Sequence, residues 1–294
     1  MYAYRKSDGA QFPCGSEDVC RIEHGSTNPF ITEPRALEEF LKGIEPHYSA
    51  ACSALLKGQF NLDDILVIAG FVSFIIGTSP TAMRLGAAYF ERLTHTEIEL
   101  MDRAGMLDDA PPELGGKSAT ELIQNGVLVV KTDAKFPQAM SISSILEQTK
   151  TFASFHWEIL LNRNTERFPF LTSDYPAAIE GFGGQMPATR IIPLQPNLAI
   201  RILPQIRPIG SAKMANDFRY KIRKVSPIEV RTINLSIVRC AENLVFSPVE
   251  ADWVALLVEK NANFQVELKH ERVPKGTGYK LTNSMVVRAK CISG

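Results

Sequence analysis

The stretch FPFLTSDYP, Phe168 to Pro176, runs three bulky apolar side chains straight into Thr172, Ser173 and Asp174 before a proline ends it. A carboxylate at the mouth of a strand can orient an imidazole and raise its pKa, the usual preparation for general acid–base chemistry. His156 is the imidazole that the local pattern offers. Phe155, Trp157, Ile159 and Leu161 alternate onto one face of a strand, with His156 and Glu158 on the other. The run Asn162–Arg167 (NRNTER) reads as a turn and Phe168–Leu171 as the partner strand. A turn centred near Arg163–Thr165 would pair His156 close to Thr172 and bring Asp174 within its reach.

Glu45, beside Pro46, is the third member of the expected cluster, with Ser173 at its rim. In that arrangement His156 is acid or base, Asp174 orients it, and Glu45 positions water or a metal: a hydrolase-like, conceivably nuclease-like site. The same residues admit a plainer reading. Ser and Asp ahead of Pro form Asx-type turns, so Asp174 could simply close its strand on nearby backbone amides. Ser173 lacks the G-x-S-x-G elbow of a serine nucleophile. No phosphate loop ending in Gly-Lys-Ser/Thr and no H-E-x-x-H pair occurs, so the sequence names no cofactor or metal.

A second chemistry lies further on. Arg201, Arg207, Lys213, Arg219, Lys221, Arg223, Lys224 and Arg231 face only Asp217 and Glu229 between positions 201 and 231, with Phe218 and Tyr220 interleaved. Basic residues alternating with aromatics suit single-stranded nucleic acid or another phosphate-bearing partner, with Arg219, Lys221 and Arg223 as the expected contacts. The alternative is an ordinary solvated face, since Lys+Arg and Asp+Glu each number 32 and the whole chain is neutral. That neutrality argues against a protein that coats DNA or anionic membranes over its whole surface.

The elements that must hold these residues follow from period and punctuation. Tyr2–Lys6 reads as a strand. From Pro34, Leu37, Leu41, Ile44, Tyr48, Ala51 and Leu55 mark the buried face of a helix that Pro46 should kink near residues 43–45. A helix led by Asp63 and Asp64 carries the apolar run Ile65–Ile76, too short at 12 residues for a membrane span of about 20. Another helix runs from Pro80 to about Met106, and Leu107–Lys117 is a linker. Ser118 and Glu121 form a capping box, GVLVVKT (126–132) reads as a strand, and Pro137–Ala153 as a helix. Gly181–Pro187 is a glycine-rich loop, and two extended pieces flank Pro196-Asn197. SPIE (226–229) and SPVE (247–250) each place Ser, Pro and Glu as a helix start requires, predicting helices near 227–242 and 248–261 with a strand between them. FQVELKHERV (264–273) reads as a last strand before a weakly patterned tail.

The expected fold is therefore α+β: one domain over 1–294, with a helical N-terminal part (about 34–106) packed on the mixed, mainly antiparallel sheet of a mixed α+β part (about 118–275). Cys14, Cys20, Cys52, Cys240 and Cys291 are scattered, odd in number and without a C-x-x-C pair, which fits reduced thiols. With no apolar leader after Met1, the expectation is a soluble cytoplasmic protein.

In this order, YAYRK, LEEFLKGIE, GTSP before a helix, FHWEIL, FLTSDYP, IIPLQPNLAI and INLSIVRCAENLVFS resemble domain-of-unknown-function family 4238, largely bacterial soluble proteins. The likeness spans roughly Tyr2 to Ser247. Members carry a His-x-x-Pro segment, then Tyr-Leu and Phe, upstream of the strand matched by YAYRK. Here Met1 falls directly before that strand, so either the start lies upstream or this member has lost the segment and with it any chemistry of that histidine. The resemblance implies positions rather than a reaction.

Overall fold

A computed structural model describes residues 1–15, 27–180, 188–204, 218–276 and 278–290. The expected glycine-rich loop at 181–187 lies outside the described residues, as do Arg207 and Lys213. The fold is α+β, its helices mostly preceding its sheets.

The helical part begins with α1 (Ala36–Lys42) and α2 (Glu45–Lys57). The kink expected near residues 43–45 is a full break. Pro46 cannot donate an interior helix bond, so it sits in the first turn of α2, where none is needed. Next, α3 (Leu62–Thr78) is capped by Asn61 and Asp64, which each accept the other's backbone N–H. Apolar nearly all round, α3 is buried. Ser79 caps α4 (Pro80–Arg103), and the Ser118–Glu121 box starts α5 (Ala119–Gln124). The helix expected over 137–153 is split at Ser144 into α6 (Lys135–Ser143) and α7 (Ile145–Ser154). GVLVVKT is not a strand: Val127, Leu128 and Val129 are exposed, and the segment joins no sheet among the described residues. Among the described residues no single helix is long and apolar enough to cross a membrane.

The central sheet has the order β5 (Ala178–Glu180), β6 (Thr189–Gln195), β7 (Leu198–Leu203), β3 (His156–Leu161), β8 (Tyr220–Lys224). All its pairs are antiparallel except β3 with β8. Trp157, Ile159, Ile192, Ile200 and Ile202 pack one face against Leu55 of α2 and Ile65, Ile68 and Val72 of α3. Leu160, Ile191 and Ala199 pack the other against Val230, Ile233 and Ile237 of α8 (Pro227–Cys240). Each such fully buried aliphatic chain contributes about 1.5–3 kcal/mol. This burial on both faces fixes the register, because a one-residue slip would turn Glu158 and Arg201 into the apolar layer.

A smaller sheet orders β2 (Gln11–Pro13), β1 (Tyr2–Arg5), β9 (Leu244–Ser247) and β4 (Thr172–Ser173). Beside it α9 (Asp252–Lys260) buries Val254 and Val258. The helix expected at 248 starts four residues later, because Ser247 Oγ closes a tight turn with Val249 instead of capping. The weakly patterned tail is β11 (Gly278–Ala289), paired along its length with β10 (Phe264–Lys275). Much of this two-stranded ribbon is exposed, so it lacks the half-buried alternation by which strands are recognised.

The hairpin expected over 155–171 does not form. β3 pairs instead with β7 and β8, strands far along the chain. Asn162 folds the presumed turn back on itself, accepting from Asn164 N and donating to the Phe168 carbonyl. The presumed partner strand is held by the buried amide of Asn234 on α8, which donates to the Pro169 carbonyl and accepts from Leu171 N. Only Thr172 and Ser173 join a ladder, and it is that of β9 in the other sheet.

Candidate functional site

With the hairpin gone, the expected cluster comes apart. His156 opens β3 in the central sheet, while Asp174 follows β4 in the smaller one. Asp174 is a structural carboxylate. Its Oδ1 accepts from Glu242 N and its Oδ2 from Asn243 N and Leu244 N, all at 2.8 Å. Burial pushes its pKa up, against the downward pull of those amides. Ser173 is buried, its hydroxyl accepting from Tyr175 N. Glu45 is exposed in the first turn of α2, where its charge suits the helix dipole. Among the described residues no hydrogen bond or ion pair joins Glu45, His156 and Asp174.

The structure does bring two other expected residues together. The register that pairs Trp157 with Tyr220 and Glu158 with Lys221 sets His156 beside Arg219. By alternation His156, Glu158, Arg219, Lys221 and Arg223 share one face of the sheet. On it lies a charge network. Arg201 Nε donates to Glu180 (2.5 Å) and its Nη1 to Glu158 (2.6 Å); Arg223 reaches Glu158 (3.1 Å) and grips Glu229 with both terminal nitrogens (2.8 and 2.5 Å). Burial would raise Glu158, yet hydrogen bonds from Arg201 and Arg223 bring its carboxyl below the ordinary range. Arg223 likewise holds Glu229 down. Burial opposes the charge on Arg201, but Glu180 and Glu158 raise its pKa above the usual guanidinium value. Three carboxylates thus enclose two guanidiniums in a locked brace across β5, β7, β3, β8 and the first turn of α8. Arg201 and Arg223 are committed to it and cannot serve as phosphate contacts without breaking it. The sequence showed those charges singly; their partners come from separate strands, a long-range pairing that no local pattern encodes.

The remaining basic residues stand differently. Arg231 stacks on Phe168, its guanidinium carbon 4.6 Å from the ring centre. Arg219, Lys221 and Lys224 are exposed along β8 and have no ion-pair partner among the described residues. Among the described residues β8 is an edge strand. Trp157 N donates to the Arg219 carbonyl and Val225 N to that of Leu161, so the alternation of a parallel ladder turns the backbone groups of Tyr220, Ile222 and Lys224 outward. On the opposite face Phe218 stacks on Tyr220 (centroids 5.6 Å, planes 19° apart), with Phe60 4.7 Å from Tyr220 and Trp157 5.3 Å from Phe218. Tyr220 keeps 48% of its surface exposed. By the same alternation the edge presents Arg219 and Lys221 on one side, and the aromatic rings with Lys224 on the other.

Among the described residues no group of three or more His, Cys, Asp or Glu side chains is placed to hold a metal ion. Comparison with curated proteins and with solved structures gives no significant match. Residues 1–249 match the family model described as "Protein of unknown function (DUF4238)", and the chain belongs to that family.

Proposed function

We propose that this protein is a binding protein for a phosphate-bearing chain, single-stranded nucleic acid in the first instance, which it holds along the open edge of β8. The observation that carries the reading is the exposure of Arg219, Lys221 and Lys224 beside the Phe60–Phe218–Tyr220 aromatic group. Cations spaced along a strand match a phosphodiester backbone, and every base offers a ring face to stack on tyrosine. His156, beside Arg219, would add a further donor at the same end. The hydrolase-like reading loses the acid it assigned, because the lone pairs of Asp174 serve three backbone amides.

The test is retention on heparin and anisotropy of a labelled single-stranded oligonucleotide over a range of salt. The triple variant Arg219→Ala/Lys221→Ala/Lys224→Ala should bind at least about tenfold more weakly, with a salt slope shallower by about 2, since each phosphate neutralised on a single strand contributes about 0.7. Tyr220→Ala should weaken binding by about tenfold with the slope unchanged. Absence of retention at low salt, or a triple variant that binds like the parent, overturns the reading.

A further inference from the structure

Arg190 of β6 is a buried cation without a counter-ion. It keeps 6% of its surface exposed, and among the described residues no carboxylate pairs with it. Its Nη1 donates to the hydroxyl of Tyr175 at 2.7 Å and to the Ala177 carbonyl at 3.1 Å, both neutral acceptors. Tyr175 belongs to the FPFLTSDYP run and is itself buried, so these two bonds fix where the guanidinium points. Its Nη2 points at sulfur: it donates to Sδ of Met285, at 3.3 Å. A thioether is a weak acceptor. Burying a guanidinium is costly unless strong acceptors replace its lost water, and here the acceptor on Nη2 is the poorest the side chains offer.

Met285 lies on β11 opposite Leu268 of β10, and both pack against the cluster of Val230, Ile233, Ile237 and Val266. It is half-buried, held against Arg190 yet within reach of a small solute. Beyond it the ribbon is exposed from Glu271 to Gly276, so Met285 sits where the ribbon is anchored to the body of the protein. An oxygen added to a packed methionine ordinarily disrupts its contacts, because it turns an apolar group polar. At Met285 the new oxygen would meet a fixed guanidinium that lacks a negative partner, and a charge-assisted hydrogen bond would replace a weak one.

We propose that Met285 is a site of oxidation by a peroxide, and that Arg190 receives the sulfoxide oxygen and locks the ribbon of β10 and β11 onto β6. The sulfur lone pair attacks the terminal oxygen of the peroxide, and the S–O bond forms as the O–O bond breaks. The proton on the transferred oxygen passes to the leaving oxygen, which departs as water or an alcohol. Sulfur is oxidised to the sulfoxide and the peroxide is reduced by the same two electrons. The site is separate from the edge of β8 and stands independently of the function proposed there.

The full chain is treated with hydrogen peroxide, the methionines are mapped by peptide mass, and amide hydrogen exchange is followed along β10 and β11. The expected result is conversion of Met285 in the folded protein, with exchange in the ribbon slowed about tenfold. Met285→Leu, treated in the same way, should show no slowing. Leucine keeps the packing, and the exposed Met101, Met106 and Met140 are oxidised in both proteins, so the difference belongs to position 285. The proposal is overturned if Met285 stays a thioether after Met106 is fully converted. It is equally overturned if ribbon exchange in the oxidised parent is unchanged or faster, or if the leucine variant slows as much.

Discussion

Asp174→Ala should destabilise the protein by about 3 kcal/mol, whereas His156→Ala should cost less than about 1 kcal/mol. The carboxylate of Asp174 accepts three backbone N–H groups, from Glu242, Asn243 and Leu244. Its own N–H donates to the Leu244 carbonyl at 3.0 Å. These bonds fasten the turn between α8 and β9 to the end of β4. Glu242 in that turn is in turn gripped by Arg84 (2.8 Å) and by the hydroxyl of Thr81, so α4 is anchored through the same point. Alanine leaves three donors without an acceptor where the surrounding chain limits access to water, and bonds to a charged acceptor contribute about 1.5–3 kcal/mol each before any relaxation. Asp174→Asn should recover only part of the loss, because its NH₂ group would face a backbone N–H. Urea unfolding of the three variants decides the matter. An alanine variant within about 1 kcal/mol of the parent would show that the three amides find water equally well. The pH dependence has a definite sign: with its folded pKa above the unfolded value, this acid adds stability below the unfolded pKa that is lost as pH rises through the folded one.

This residue also shows how far local sequence reaches. The Asx-type reading of Ser173 and Asp174 was the nearer one, since short polar side chains before proline seek backbone amides, and here both find them. Local chemistry likewise made the Ser118 and Ser226 helix starts legible, because a cap and its helix lie within four residues of each other, whereas Pro46, expected to kink a helix, starts a new one. What local pattern could not supply was partnership across the chain. The run NRNTER has the composition of a hairpin turn, yet Asn162 closes it internally and β3 finds β7 some forty residues on. The brace of Glu158, Glu180 and Glu229 around Arg201 and Arg223 was invisible for the same reason. Alternation placed His156 and Glu158 on one face of the strand, but only the sheet order shows what stands across from them. The contact of Arg190 with Met285 is of the same kind, its partner arriving from 95 residues away along the chain.

Lys6→Met should cost more still, about 4 kcal/mol, and the size of the deficit should depend on pH. Lys6 follows β1 and keeps 5% of its surface exposed. Its Nζ donates to the carbonyls of Val238 (3.1 Å), Ala241 (2.8 Å) and Phe264 (2.6 Å). Val238 lies in the last turn of α8 and Ala241 just past it, among the carbonyls that a helix leaves without internal partners and where its dipole favours a cation. Phe264 opens β10, so one ammonium ties the smaller sheet, α8 and the ribbon together. Methionine fits the space but strands three acceptors. Burial pushes the Lys6 pKa down to about 8 from about 10.5, with the nearby charge of Lys290 adding to it. Between those values the unfolded chain holds the proton more tightly than the folded one, so this group's contribution to stability rises with pH across that window. Methionine has nothing to titrate. The stability gap between parent and variant should therefore widen from about pH 8 to pH 10.5, and taking the difference cancels the groups the two proteins share. A gap that stays flat or narrows over that range would mean that burial does not lower the Lys6 pKa, the carbonyls of Val238, Ala241 and Phe264 then compensating the ammonium in full for its lost hydration.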